Sequence, residues 1–484
     1  MRRTLSPGYP GGDDLPEEDL TRFAVQYARE KGASYADARY EHQMPTQMIL
    51  KNGVLDALFA SEDAGIGVKV LADGGLAFAS TNRLTKDDVR SAVERAVKTA
   101  KGAARKDPIV FAPEQAVVTR WDVQERIRLA DTPPEKKLED MLEIEKALLD
   151  LKLKIPARMF VQMDNRIEKF FVNSEGSEIH SYSPRVRLYY YLTVVKDGDS
   201  EQTSRNYGWS GGWEWLDELQ LLNKVVEEAK SMQNSLDKGR KMEPGRWDLL
   251  VGPQVSGISS HESCGHPTEA DRILGREASQ AGKSFITADS IGKRVGSEVV
   301  TVVDDPTVEH AIAYYAYDDE GVKARRRHLY KDGLINEFLQ NRETAAKLRT
   351  RSNGAARATN YDRETIVRMS NTFVEPKDWG FDEMLEGIRH GIYMKSFMEW
   401  NIDDKRFNMK YVGREAYLIE DGEIKHPVRR PILELTTPTF WSAVDAVGKE
   451  LEFEAGFCGK SDPTQALDAS FGGPTMRLRD IPLR

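Results

Sequence analysis

The stretch RWDLLVGPQVSGISSHESCGHPTEAD, residues 246–271, begins as a buried-looking strand and ends in a histidine motif. His261 and His266 stand five apart, with Glu262 next to the first. The zinc-hydrolase spacing H-E-x-x-H is four, which puts both rings on one helical face. At ~100° per residue, a spacing of four leaves side chains ~40° apart around the axis, and five leaves them ~140° apart. A regular α-helix therefore cannot aim both rings at one ion. A π-turn takes about one more residue per turn, would bring the rings together, and occurs often at functional sites. Gly265 lies where such a distortion is tolerated. The stretch thus predicts a strand followed by a helix that is widened or broken near Cys264-Gly265.

Zinc hydrolysis needs three protein ligands, an open position for water and a base beside it. His261 and His266 provide two ligands, and Glu262 is the natural base. Glu269 has two readings: orienting a ligand histidine through its free ring nitrogen, or sitting with Asp271 at a capped, solvated helix end. The third ligand is missing from the stretch. Cys264 is one candidate, but it would strain a turn already distorted. Cys458, in EAGFCGKSDP, is the other, although a lone cysteine is more often a small buried hydrophobe. For the oxyanion donor that acyl transfer also needs, Lys460 and the Arg368–Asn371 region are candidates, with a structural role preferred for both. A rival enzyme reading makes Cys458 a nucleophile with His261 or His266 as base. It leaves one histidine and Glu262 without work.

Composition narrows the field. The chain has 484 residues, enough for two or three domains. Sixty-nine basic against 78 acidic residues leave a net charge of −9, which speaks against nucleic acid as the main partner. Arg325-Arg326-Arg327 is expected to be a solvated loop or strand edge rather than a basic patch. Two cysteines exclude a disulfide framework and suit a reducing compartment, so the cytoplasm is expected. No apolar run approaches the ~18 residues of a membrane span. MRRTLSPGYPGGDD reads as a flexible leader without the apolar core of a secretory signal. Gln280 to Ser284 ends in Gly-Lys-Ser, but Gly275 is too far upstream for a phosphate loop.

Further out, the chain alternates helical and extended periods. A helix is expected over Pro16–Lys31. Strands ADARYEH and TQMILK follow on either side of Pro45, then Asn52-Gly53 turns a hairpin into VLDALFA. GIGVKVLA and GLAFAS flank another turn, and Thr85 caps a helix carrying Val89, Val93 and Val97. After Pro133-Pro134 comes a further helix, then ARMFVQM, EKFFVNS, EIHSYS and RVRLYYYLTVV as strands. Asp217–Leu236 reads as helix. In the second half, AIAYYAYDDEG reads as strand, Asp318–Gly321 as an exposed acidic turn, and Asp382–Arg389 and Phe440–Val447 as helices. The class is α+β: an N-terminal α/β region with a mixed sheet over 1–240, divisible at about 106, and a C-terminal domain over 241–484. That second domain is expected to be dominated by antiparallel sheet carrying the metal helix.

Several motifs then converge. YADARYE, KNGVLDALFASEDAGIGVKVLADGGLAFAST, HESCGHPTEAD, AYDDEGVKARRRHLYKDGLI, RMSNTFVEP, AYLIEDGEIKHPV and GFCGK occur in this order. The chain resembles the TldD/PmbA (modulator of DNA gyrase) metallopeptidase family, and its TldD-like active subunit in particular. The resemblance implies that His261, His266 and Cys458 are zinc ligands and Glu262 the catalytic base. It implies a zinc-dependent peptidase that hydrolyses small or unstructured peptides by Glu-assisted attack of zinc-bound water. It also implies a dimer enclosing the active site, either with itself or with an inactive PmbA-like (TldE-like) subunit. No nucleic-acid or membrane partner is expected. The old gyrase name and the arginine run raise a non-enzymatic regulatory binder as the remaining alternative. KSFMEWNIDDKRFNMKYV departs from the family's glycine-richer stretch, which bears on pocket width.

Overall fold

The fold comes from a computed structural model that describes residues 15–277, 279 and 281–484. The expected leader, residues 1–14, and Gln280 lie outside them. Residues 35–210 build one eight-stranded sheet. Its path runs Gly75–Thr81, Asp63–Ala72, Tyr35–Lys51, Ala157–Asn173, Glu178–Lys196, Val118–Asp122. Pairing is antiparallel except between the last two strands. Two strands expected around Pro45 are one strand, Tyr35–Lys51. On one side its partner changes there: Asp63–Ala72 pairs up to Gln43, and Val54–Ala60 begins at Thr46. Proline lacks the donor a continuous ladder needs, and the changeover is where none is needed. Pro184 likewise lies inside the single strand Glu178–Lys196. Asp199–Ser210, too polar to stand out as a strand, pairs along it.

Helices Glu17–Glu30 and Lys86–Gly102 cover the early strands through Leu20, Ala24, Val89, Val93 and Val97. The Thr85 side chain accepts the backbone N–H of Asp88 and so caps the second of these helices. Helices Pro134–Asp150 and Leu221–Lys238 cover the later strands through Met141, Leu148, Val225 and Met232. The helix expected from Asp217 is broken by Gln220, which is left-handed at φ 50°.

The second half holds a nine-stranded and a six-stranded sheet, mostly antiparallel. Strand Gly245–Val251 runs between Met476–Leu483 and His390–Met394 and leads into helix Pro253–Ser260. That helix lies close against strand Gln465–Gly473: a Cβ on Gly257 would stand 3.0 Å from Gly472 N. Gln465–Gly473 pairs with Glu452–Lys460, the strand that carries Cys458.

Several expectations are corrected. AIAYYAYDDEG is not a strand but a chain of turns, and Phe440–Val447 splits into the end of helix Thr437–Ser442 and strand Val444–Val447. The turn Asp318–Gly321 is buried between the halves of the chain rather than exposed. Asp318 Oδ1 accepts two N–H groups of its own turn, and Lys69 Nζ donates to Glu320 at 2.7 Å. Arg325 and Arg326 are exposed and paired with Glu337, Asp305 and Glu375, but Arg327 is fully buried on Asp304 at 2.6 Å. The run is therefore not a free basic patch. No helix among the described residues is long and apolar enough to cross a membrane.

Candidate metal centre

Helix Pro253–Ser260 does not end at His261. It widens into a π-turn over His261–Gly265 and then tightens into a 3₁₀ turn over His266–Thr268. The extra residue per turn cancels the phase error of the five-residue spacing. The two imidazole centroids stand 4.9 Å apart, nearly perpendicular at 81°. Gly265 permits the close packing: a Cβ there would stand 2.0 Å from Met369 Sδ. Gly265→Ala is therefore expected to cost about 1–3 kcal/mol, as overpacking does, because Met369 is itself buried. Thermal denaturation measures it, and an unchanged midpoint would show that Met369 yields.

Cys458, 192 residues beyond His266, comes in on the neighbouring strand with Sγ 3.5 Å from His266 Nε2. Ligand atoms of His261, His266 and Cys458 all lie within 4.8 Å of one another. With Zn–S and Zn–N bonds of about 2.3 and 2.0 Å, tetrahedral ligands stand roughly 3.6 Å apart, which matches the sulfur–nitrogen distance. All three side chains are buried, and His261 Nδ1 has no hydrogen-bond partner among the described residues. Burial lowers the pKa of both imidazoles, which favours the neutral, ligating form. Burial opposes ionisation of Cys458, but His266 and Arg368 outweigh it and bring the thiol down to about 7. Two imidazole nitrogens and one thiol sulfur are a donor set that fits a borderline-soft divalent ion. Cys264, the other sequence candidate, packs in the hydrophobic core with its thiol pushed well up by burial.

The surrounding groups hold this set in place. Glu269 Oε2 takes the His266 Nδ1 position at 2.9 Å, which directs Nε2 toward the sulfur. Glu269 is fully buried; burial would raise its pKa, but Lys460 and Arg272 hold it well below the usual range. Glu269 and Asp271 are therefore not a solvated helix end: Glu269 is buried on the His266 ring, and Asp271 is bonded to Lys460 at 2.7 Å. Lys460 also donates to Val367 O at 2.8 Å, and Arg368 donates to the carbonyls of Cys458 and Gln465. Both cations thus brace backbone and carboxylates behind the sulfur.

Sequence reasoning missed Arg406. Its Nη1 donates to Glu262 Oε2 at 2.5 Å, with both side chains largely buried. Arg406 occupies the turn between strands Phe397–Ile402 and Asn408–Gly413, left-handed at φ 63°. Its carbonyl accepts from Thr437 Oγ1 at 2.8 Å, and Asp403 closes the turn by accepting the N–H groups of Phe407 and Asn408. The only sequence signal was that this stretch departs from the family pattern. In front of His261, Glu262 and Cys458 opens a cavity of about 240 Å³, walled by Phe397, Trp400, Phe457 and Phe471 and, from the N-terminal sheet, by Tyr189, Arg205 and Asn206.

Models of the PmbA/TldA metallopeptidase match in three consecutive parts: domain 1 over 36–100, the central domain over 127–233 and the C-terminal domain over 244–483. The chain belongs to the TldD/PmbA metallopeptidase family. Its relatives in that family include a metalloprotease of Methanothermobacter thermautotrophicus, 32% identical over 93% of this chain and 95% of the relative. Another is the zinc metalloprotease TldD homolog of Saccharolobus solfataricus, 26% identical over 94% of this chain and 98% of the relative. The fold is that of TldE from Thermococcus kodakarensis, with a TM-score of 0.77 at 16% identity, covering 96% of this chain and 99% of that one. As a TldD/PmbA chain, this protein is a metallopeptidase with an α+β fold.

Proposed function

We propose that this metallopeptidase is zinc-dependent and hydrolyses small or unstructured peptides, with His261, His266 and Cys458 as ligands and Glu262 as general base. The observation that carries this is the meeting of the π-turn with a thiol from a remote strand, beside a carboxylate that faces the same cavity. A zinc ion held there supplies Lewis acidity, which acidifies water and polarises a scissile carbonyl. Glu262 does the proton work. Arg406 holds its Oε2, which leaves Oε1 to take a proton from the attacking water and pass it to the departing amine. Arg406 keeps that carboxylate oriented. Aromatic walls and a volume of about 240 Å³ admit an extended chain and shut out a folded domain. The chemistry thus resides in residues 241–484, and residues 1–240 supply one wall. The shared fold with TldE supports a dimer, with a second copy or with an inactive TldE-like subunit. Two thiols without a disulfide suit the cytoplasm.

One observation favours a second reading. Cys458, His266 and Glu269 stand in line at 3.5 and 2.9 Å, the order of a thiol hydrolase. Cleavage of a denatured protein substrate with and without o-phenanthroline separates the two. The zinc reading expects activity to vanish with chelator and return with added zinc. Persistent activity that iodoacetamide stops would mean a thiol enzyme, and no activity with no bound metal would leave a binding protein.

A further inference from the structure

A second cavity, of about 310 Å³, adjoins the first. The two share Phe457, the neighbour of Cys458, which is 55% exposed. Arg185 and Arg187, on the same face of strand Glu178–Lys196, form part of the lining. Both reach Asp468, Arg185 Nη1 at 2.9 Å from Oδ2 and Arg187 Nη2 at Oδ1. Arg187 also donates to Gly456 O at 3.1 Å and stacks 3.6 Å from the centroid of the Phe457 ring. Arg187 Nη1 and Arg185 Nε are buried without a partner among the described residues, and the Arg187 side chain is only 3% exposed.

The nearby acids do not balance this charge. Asp164, the other carboxylate of the cavity, is taken by Lys137 at 2.7 Å, Thr46 at 2.6 Å and Gln162 at 2.9 Å. A third guanidinium, Arg357, hydrogen-bonds the carbonyls of Met369 and Asp468 and, among the described residues, no carboxylate. Three arginines therefore surround the single carboxylate of Asp468. Buried cationic charge in excess of its counter-charge is costly, and an anion held in the adjoining cavity offsets it. The remaining lining is apolar: Phe59, Met163, Val186, Ile312 and Phe457.

We propose that this second cavity binds a carboxylate of the peptide substrate through Arg187, with Arg185 beside it, while its apolar wall takes the adjoining side chain. The inference rests on the peptidase reading of the first cavity and adds a substrate class to it. A carboxylate at the chain end would make the enzyme a trimmer of C-termini. One on an aspartate or glutamate side chain would make it selective for acidic positions.

The test is equilibrium binding, by fluorescence anisotropy, of a fluorescein-labelled alanine–serine–glycine peptide to the protein as purified. The peptide is made as the free acid, as the amide, and as the amide with one internal glutamate. At least one carboxylate form is expected to bind about tenfold tighter than the plain amide, the ratio of one charge-assisted hydrogen bond. Which form gains identifies the source. Arg187→Met should close the gap between the carboxylate forms and the plain amide. Should that variant fail to fold, Phe59→Asp tests the same charge, since Phe59 lines the cavity yet is 58% exposed. It should weaken only the carboxylate forms. Equal binding of all three peptides overturns the proposal, as does a gap that survives Arg187→Met and disappears with chelator. Binding is read without turnover. A preserved gap with no cleavage therefore counts against the peptidase reading alone, and cleavage with equal binding counts against the carboxylate pocket alone.

Discussion

Cys458→Ser is expected to leave the purified protein with about a tenth or less of the wild-type zinc after dialysis. A serine hydroxyl does not ionise near neutrality and offers a hard oxygen where a soft thiolate stood, so two ligands remain of a three-ligand catalytic set. Loss of even an outer partner of a metal ligand lowers affinity about 10–100-fold, and loss of the ligand itself should exceed that. Cys264→Ala is the matched control. Its thiol lies in the apolar core and is not among the clustered ligand atoms of His261, His266 and Cys458, so zinc content should hold. Metal analysis of both variants beside the wild type decides the matter. Equal zinc in Cys458→Ser would remove the sulfur from the ligand set and move weight to the thiol-hydrolase reading.

Glu262→Gln is expected to lower kcat by about 10²–10⁴-fold, the usual contribution of a positioned general base, while zinc content stays at the wild-type level. The amide is nearly isosteric and still accepts a hydrogen bond from Arg406, so the hairpin that carries Arg406 should keep its place. KM should change far less than kcat, because the lost function is proton transfer rather than substrate binding. A variant that kept most of its turnover would assign the base elsewhere. One that lost its zinc would show that Glu262 stabilises the turn rather than the reaction.

The sequence revealed the parts of this site whose logic is local. The five-residue spacing of His261 and His266 demanded a widened turn or a break near Cys264-Gly265, and the widened turn is the one present. Cys458 could not be found by spacing. Its approach depends on two sheets and the packing of helix Pro253–Ser260 on strand Gln465–Gly473, which are tertiary facts. Resemblance to the family singled it out where periodicity could not. Arg406 escaped because its role depends on a left-handed turn at the end of a hairpin, and nothing in the residues around it marks that direction. In the fold, α+β architecture was legible from alternating periods. Proline was misleading at 45 and 184, where changes of strand partner remove the usual penalty. The buried acidic turn at Asp318–Gly321 looked solvent-facing because its stabilising partner, Lys69, is 251 residues from Glu320.

The wall contributed by Tyr189, Arg205 and Asn206 has an evolutionary corollary. The proposed donor atoms for the ion and the proposed base come from one half of the polypeptide, and the opposite rim comes from the other. Mutations on the long strands of the first half can therefore retune which chains are admitted while the hydrolytic apparatus stays untouched.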